Sequence, residues 1–193
     1  MSVQVYEILL DRLGDYAQVP IRFEVKTVFR VEPVQDGLGG MQFHEVPVEP
    51  YIKDYYDCED GSPIHWAEAF DIRNWGFFLA VDLERPVGAT AVAWNTNGVD
   101  MLEGRRDLSV LWDIRVAPEF RNRGIGKKLI ENAARWSRER GVTRMKIETQ
   151  NVNVTACRFY QRMGCTLGDI RRFGYAGQPH VAHEVQLNWY LQL

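Results

Sequence analysis

Cysteine is scarce in this 193-residue sequence: Cys58, Cys157 and Cys165 are widely spaced and form no CxxC pair. That pattern excludes a disulfide framework and a zinc site, and it points to a reducing compartment, the cytoplasm. Long apolar runs are also missing, since none approaches the roughly 18 residues of a membrane span. The opening residues, Met-Ser-Val-Gln-Val-Tyr-Glu, lack a basic stretch followed by an apolar core, so they do not read as a secretory leader. Net positive charge is absent too, because 23 Lys and Arg against 26 Asp and Glu leave −3 at pH 7. This argues against general nucleic-acid binding. No internal repeat or low-complexity linker interrupts the chain, which predicts one domain over residues 1–193. What remains is ordinary globular composition, 46% hydrophobic and 25% charged, long enough to bury a full core.

The hydrophobic pattern predicts strands first. Val3–Leu10 and Lys26–Val31 read as strands, and Gln42–Val48 follows the Asp36-Gly37 and Gly39-Gly40 turns. Trp75–Asp82 and Ala89–Trp94, joined through Pro86-Val87-Gly88, suggest an antiparallel hairpin. After the NTNG turn at 95–98, Leu108–Val116 reads as a long strand that stops before Pro118. A helix follows, with Ile125, Leu129, Ile130, Ala133, Ala134 and Ser137 near one face and Gly141 as terminator. Met145, Ile147 and Thr149 alternate with polar residues in a further strand. A short helix near 153–163 and strands near Thr166–Tyr175 and Ala182–Leu191 complete a mixed α/β (α+β) sheet. The segment KDYYDCEDGSP at 53–63 is an acidic loop.

One stretch carries concentrated chemistry: RNRGIGKKLIENAARW, residues 121–136, at the mouth of the helix. A P-loop would require Ser or Thr where Lys128 stands, so that reading fails. A dinucleotide fingerprint would need a third glycine where Leu129 stands, although Glu148 lies at a suitable distance for a ribose-binding acid. What is left is Arg121-x-x-Gly124-x-Gly126. Glycines let the backbone approach a pyrophosphate, and the first helical N–H groups and the helix dipole favour an anion. Arg121, Arg123, Lys127 and Lys128 add cationic charge. A tight turn with a solvated basic face fits the same residues.

The context favours the phosphate reading. LWDIRVAPEFRNRGIGKKL resembles the acetyl-CoA-binding segment of the GNAT N-acyltransferase superfamily, in which a strand and V-x-P precede R-x-x-G-x-G at a helix start. Further along, NVNVTACRFYQRMGC is similar to the second hallmark of that superfamily, N-x-x-A-x-x-F-Y-x-x-x-G-F. Asn153, Ala156, Phe159, Tyr160 and Gly164 match, and Cys165 replaces the usual aromatic. Upstream, KTVFRVEPVQDGLGGMQFHEVPVEPYIKDY resembles the N-terminal region of the streptothricin (nourseothricin) acetyltransferases. The resemblance implies a GNAT fold, with a mostly antiparallel central sheet splayed at the acetyl-CoA site and flanked by helices.

The implied reaction moves acetyl from acetyl-CoA to a primary amine. An alkyl ammonium has a pKa of about 10.4, so the site must remove a proton, stabilise an oxyanion and protonate a thiolate. By resemblance, backbone groups along Ile114, Arg115 and Val116 hold the pantetheine arm and polarise the acetyl carbonyl. Arg121, Asn122, Arg123, Gly124, Ile125, Gly126 and Lys127 hold the pyrophosphate, and Asn153 positions the pantetheine arm or a water. Tyr160 is the candidate general acid, although Phe159-Tyr160 also reads as a core aromatic pair. Asp113 and Glu148 are alternative carboxylates to orient or deprotonate the amine, and each also reads as a paired strand carboxylate. His44, His65, His180 and His183 show no metal-ligand pattern. Asp54, Asp57, Glu59 and Asp60, with nearby aromatics, fit either one wall of a site for a polycation such as streptothricin or a solvated loop. The partners implied are acetyl-CoA and a cationic amine, without metal, nucleic acid or membrane, and a homodimer is compatible. A non-catalytic acyl-CoA sensor is the alternative of a different class.

Overall fold

The computed structural model describes residues 3–55 and 62–193, which divide into two compact units. The first comprises Met1–Phe23, Asp54–Lys146 and Gln192–Leu193, and the second Glu24–Lys53 and Ile147–Leu191. Asp57, Cys58, Glu59 and Asp60 of the acidic segment lie outside the described residues. Among the described residues, no helix is long and apolar enough to cross a membrane.

In the first unit the strands run β1 (Gln4–Glu7), β4 (Gly76–Asp82), β5 (Arg85–Ala93) and β6 (Leu108–Val116), hydrogen-bonded in that order and antiparallel throughout. The apolar runs of β4 and β5 are buried along almost their whole length, which explains why they read as continuous hydrophobic stretches. Helix α3 (Ile125–Arg138) covers this sheet with Ile125, Leu129, Ile130, Ala133, Ala134 and Trp136. Gly88 permits the close approach: a Cβ there would stand 3.0 Å from the Ile125 side chain and 3.2 Å from Leu129. Gly141, at φ +74°, ends the helix by a reversal in which Val142 N–H donates to Ser137 O at 3.2 Å.

An aromatic core lies on β4: Trp66 and Trp75 each stack on Phe77 with centroids 6.2 Å apart, and Tyr16 meets Trp66 edge-on at 5.6 Å. Its contributors include two helices that the sequence pattern did not reveal, α1 (Leu13–Ala17) and α2 (Trp66–Ala69). At five and four residues they are too short to display a 3.6-residue period. β1 is shorter than expected because Leu10–Arg12 turns into a 3-10 helix.

In the second unit, β2 (Phe23–Pro33) and β3 (Met41–Lys53) pair as a ribbon longer than the sequence pattern implied. Phe29 and Phe43 meet edge-on at 5.7 Å, and Thr27 Oγ1 donates to Glu45 Oε1 at 2.8 Å. TVFRV (27–31) and HEVPVEP (44–50) are therefore facing strands of one ribbon. β7 (Arg144–Gln150) runs from the first unit into the second, where β9 (Gln186–Gln192) lies between it and β8 (Thr166–Arg171). The strands expected at Thr166–Tyr175 and Ala182–Leu191 are trimmed, because residues 172–184 form successive turns. α4 (Val154–Arg162) follows β7 and is capped by Asn153.

Candidate active site

The first unit holds the strand and loop singled out by the sequence. Ala117 N–H donates to Val87 O at 2.9 Å, and Ala89 opposite Arg115 and Ala91 opposite Asp113 continue that register. In an antiparallel ladder, alternate residues present their N–H and C=O to the same neighbour. The main-chain groups of Asp113 and Arg115 therefore face β5, and those of Ile114 and Val116 face away from it. A bulge inserts Trp112 where Ala91 pairs with Asp113 and Val92 with Leu111. Ile114 and Val116, the two positions that the sequence reading assigned to pantetheine, are thus those whose main-chain groups turn from β5.

After β6 a 3-10 turn at Pro118–Phe120 leads into the glycine loop. Asn122 at φ 61° and Gly124 at φ 78° are both left-handed, and nothing lies within 4 Å of a Cβ built on Gly124. Glycine is favoured there by its backbone conformation rather than by crowding. The first intrahelical bond runs from Lys128 N–H to Gly124 O at 3.1 Å, and no side chain caps the helix. The N–H groups of Ile125, Gly126 and Lys127 precede that bond and have no acceptor within the helix, which is the arrangement that binds anions.

The cations around the loop divide in role. The Arg121 guanidinium turns inward, donating to Val116 O at 3.0 Å and Arg22 O at 2.9 Å, and burial lowers its pKa against the raising effect of Glu119. It staples the loop to β6. Arg123 lies over the Phe120 ring at 5.2 Å, Lys127 is 3.8 Å from Glu131, and Lys128 Nζ reaches Val3 O at 3.2 Å. Arg121 is thus committed to backbone carbonyls, whereas the first amides of the helix have no acceptor within it.

Asp113 is committed inside the same unit. Its carboxylate takes two hydrogen bonds from Arg115, at 2.8 and 2.6 Å, and a third from the Tyr16 hydroxyl at 2.6 Å. The Arg115 side chain is 0% exposed, it also donates to Val19 O at 3.2 Å, and it lies 5.1 Å from the Tyr16 ring centroid. Thr90 Oγ1 donates to the Asp113 carbonyl at 2.7 Å. This arrangement ties the Asp113 carboxylate to Arg115 and Tyr16 inside the unit.

The second unit holds the other sequence-predicted residues. Glu148 accepts from the Tyr175 hydroxyl at 2.6 Å and from Gln186 Nε2 at 2.5 Å, while Gln150 Nε2 donates to the same hydroxyl at 3.0 Å. Tyr160 is buried on α4, its ring 5.6 Å from Phe159 and 6.4 Å from Trp189. The side chain of Asn153 accepts from Ala156 N–H at 3.1 Å, so this motif residue also has a capping task. Sequence reasoning missed Tyr16, Tyr175, Gln186 and Glu184. Tyr16 is 97 residues from Asp113 and Gln186 is 38 from Glu148, so no local pattern announces either partnership. Among the described residues, no three His, Cys, Asp or Glu side chains cluster as a metal site would.

Comparison with known proteins agrees with this geometry. The family model described as "Acetyltransferase (GNAT) family" matches residues 41–165, well over half of the chain. The streptothricin acetyltransferase of Escherichia coli is 28% identical over 95% of this chain and 92% of its own. That of Streptomyces lavendulae is 33% identical over 74% of this chain and 70% of its own. Among solved structures, nourseothricin acetyltransferase superposes with a TM-score of 0.76 at 26% identity, covering 100% of this chain and 99% of that one. An acetyltransferase from Bacillus anthracis str. Ames, in complex with acetyl coenzyme A, gives 0.78 at 23% identity with both chains covered completely. With the strand end, glycine loop and helix start of the first unit in place, the chain belongs to the GNAT acetyltransferase family and is an acetyl-CoA-dependent N-acetyltransferase.

Proposed function

We propose that the acceptor is a primary amine of streptothricin, on its β-lysine moiety, and that its acetylation confers resistance to the antibiotic. One observation carries this reading: similarity to the E. coli streptothricin acetyltransferase spans 95% of the chain, so it takes in the β2–β3 ribbon as well as the donor-binding segment.

The amine attacks the thioester directly while both substrates are bound. The outward-facing amides of Ile114 and Val116 hold the pantetheine arm and polarise the acetyl carbonyl as negative charge develops on it. The amides of the 121–127 loop hold the pyrophosphate, and Asn153 helps position the donor. The Glu148 carboxylate, oriented by Tyr175 and Gln186, draws the cationic amine in and takes up its proton through water. Tyr160 donates a proton to the departing thiolate; phenol and thiol pKa values of about 10 and 8.5 make that transfer accessible. Asp113 serves by holding β6.

The test is thiol release from acetyl-CoA with streptothricin, an aminoglycoside, spermidine or no acceptor. Turnover confined to streptothricin is the expected result. Equal turnover of spermidine overturns the assigned specificity, and donor binding without thiol release under every condition points to a sensor. In the same assay Tyr160→Phe should lower kcat by about 10²-fold or more with acetyl-CoA affinity retained; an unchanged kcat removes Tyr160 from the mechanism.

A further inference from the structure

Glu184 is a carboxylate almost out of reach of water, 3% exposed, at the start of the chain segment leading into β9. Its Oε1 accepts from Lys53 Nζ, while Oε2 is buried without a hydrogen-bond partner. A buried anionic oxygen lacking a donor is costly. The backbone keeps it there: Glu184 N–H donates to Val181 O at 2.8 Å, Val185 N–H to Asn151 Oδ1 at 2.8 Å, and Asn151 N–H to Val185 O at 3.0 Å.

The amides downstream each direct a donor to another carboxylate. Gln186 Nε2 is committed to Glu148 at 2.5 Å, and Asn188 Nδ2 to Asp169 at 2.9 Å. Because a carboxylate only accepts, these bonds fix which way each amide points. Gln186 Oε1, closed off against Gly174, and Asn188 Oδ1 are themselves buried acceptors without partners. Glu184, Gln186 and Asn188 thus each carry a buried acceptor oxygen without a partner. On β3, Tyr51 and Lys53 share one face by strand alternation. Tyr51 is 41% exposed, and burial together with the Glu184 charge raises its pKa. A phenol at the surface therefore lies within electrostatic reach of the buried acid.

An ammonium group, with three N–H donors and a positive charge, satisfies what this carboxylate lacks, whereas an anion or a lone acceptor does not. Lys53 already brings one such group. We propose that Glu184 is the recognition carboxylate for an ammonium of the acceptor distant from the amine being acetylated, and that the Lys53 ammonium occupies its place until the acceptor arrives. This builds on the polyamine acceptor proposed above.

Calorimetric titration tests it, using the CoA-bound enzyme with streptothricin, spermidine and the monoamine propylamine. The wild type should bind spermidine and streptothricin at least tenfold more tightly than propylamine. Glu184→Gln, which keeps the shape and removes the charge, should erase that margin, a loss of about ten- to hundredfold, with CoA affinity and propylamine binding unchanged. Lys53→Met should bind spermidine more tightly than the wild type does. No margin in the wild type, a margin preserved in Glu184→Gln, or weakened spermidine binding in Lys53→Met overturns the proposal. Because the margin is read from binding, a failure to turn over streptothricin leaves it intact and counts only against the assigned acceptor.

Discussion

Asp113→Ala is the perturbation that separates a chemical role for this carboxylate from a structural one. The substitution strips the Arg115 guanidinium, whose side chain is 0% exposed, of both its carboxylate bonds and removes the hydrogen bond that the Tyr16 hydroxyl gives to Asp113. Removing one partner of a buried ion pair costs about 3–5 kcal/mol, because the other charge stays desolvated and unpaired. In a chain of this size each kcal/mol shifts Tm by about 2–4 °C, so the expected fall is roughly 6–20 °C. Differential scanning fluorimetry at pH 7.5 measures it. Replacing the pair together, Asp113→Leu with Arg115→Met, removes both charges and should recover most of the lost stability. Steady-state kinetics on the same proteins complete the comparison. If Asp113→Ala abolishes turnover while Tm stays within about 2 °C of the wild type, the carboxylate acts on substrate and the structural reasoning fails.

Gly124→Ala should raise the KM for acetyl-CoA and cost about 1–2 kcal/mol, since the φ of 78° rather than crowding is the obstacle; unchanged KM and stability would show that the loop relaxes without loss. Burial pushes the Cys157 thiol up to about 12 from an ordinary value of 9.0. Between those values the unfolded chain gives up a proton that the folded chain keeps, so stability falls as pH rises through that window, by at most about 1.4 kcal/mol per pH unit from this group. Chemical denaturation at pH 8 and pH 10 should show a shallower decline for Cys157→Ala than for the wild type. An equal decline refutes the assignment.

The strand, glycine loop and helix of the donor motif were legible in the sequence because their parts are local. The strand Leu108–Val116 has the predicted limits, and the glycine loop leads straight into a helix whose apolar face was read correctly. Each depends on contiguous backbone: a left-handed glycine, a run of unpaired amides and a regular hydrophobic period. The acyltransferase chemistry was legible for the same reason, since R-x-x-G-x-G and N-x-x-A-x-x-F-Y occur in order. The ends of β8 and β9 were less legible, because the turns between them contain Phe173, Tyr175 and Val181, residues that also suit strands.

Arg121 shows where local reading stops. Its sequence marks it as a cation beside a phosphate loop, and only the fold reveals that it bonds to the carbonyls of Val116 and Arg22. Asp113 and Glu148 looked alike in the sequence, as strand carboxylates either of which could orient or deprotonate the amine. Tertiary structure locked the first between Arg115 and Tyr16 and gave the second a Tyr175 and Gln186 frame. The sequence by itself determined the family, the donor and the conformation of the glycine loop, because backbone geometry follows from neighbouring residues. The tertiary structure decided which partners each charged side chain meets, because a charge interacts through space, and those partners can stand tens of residues away along the chain.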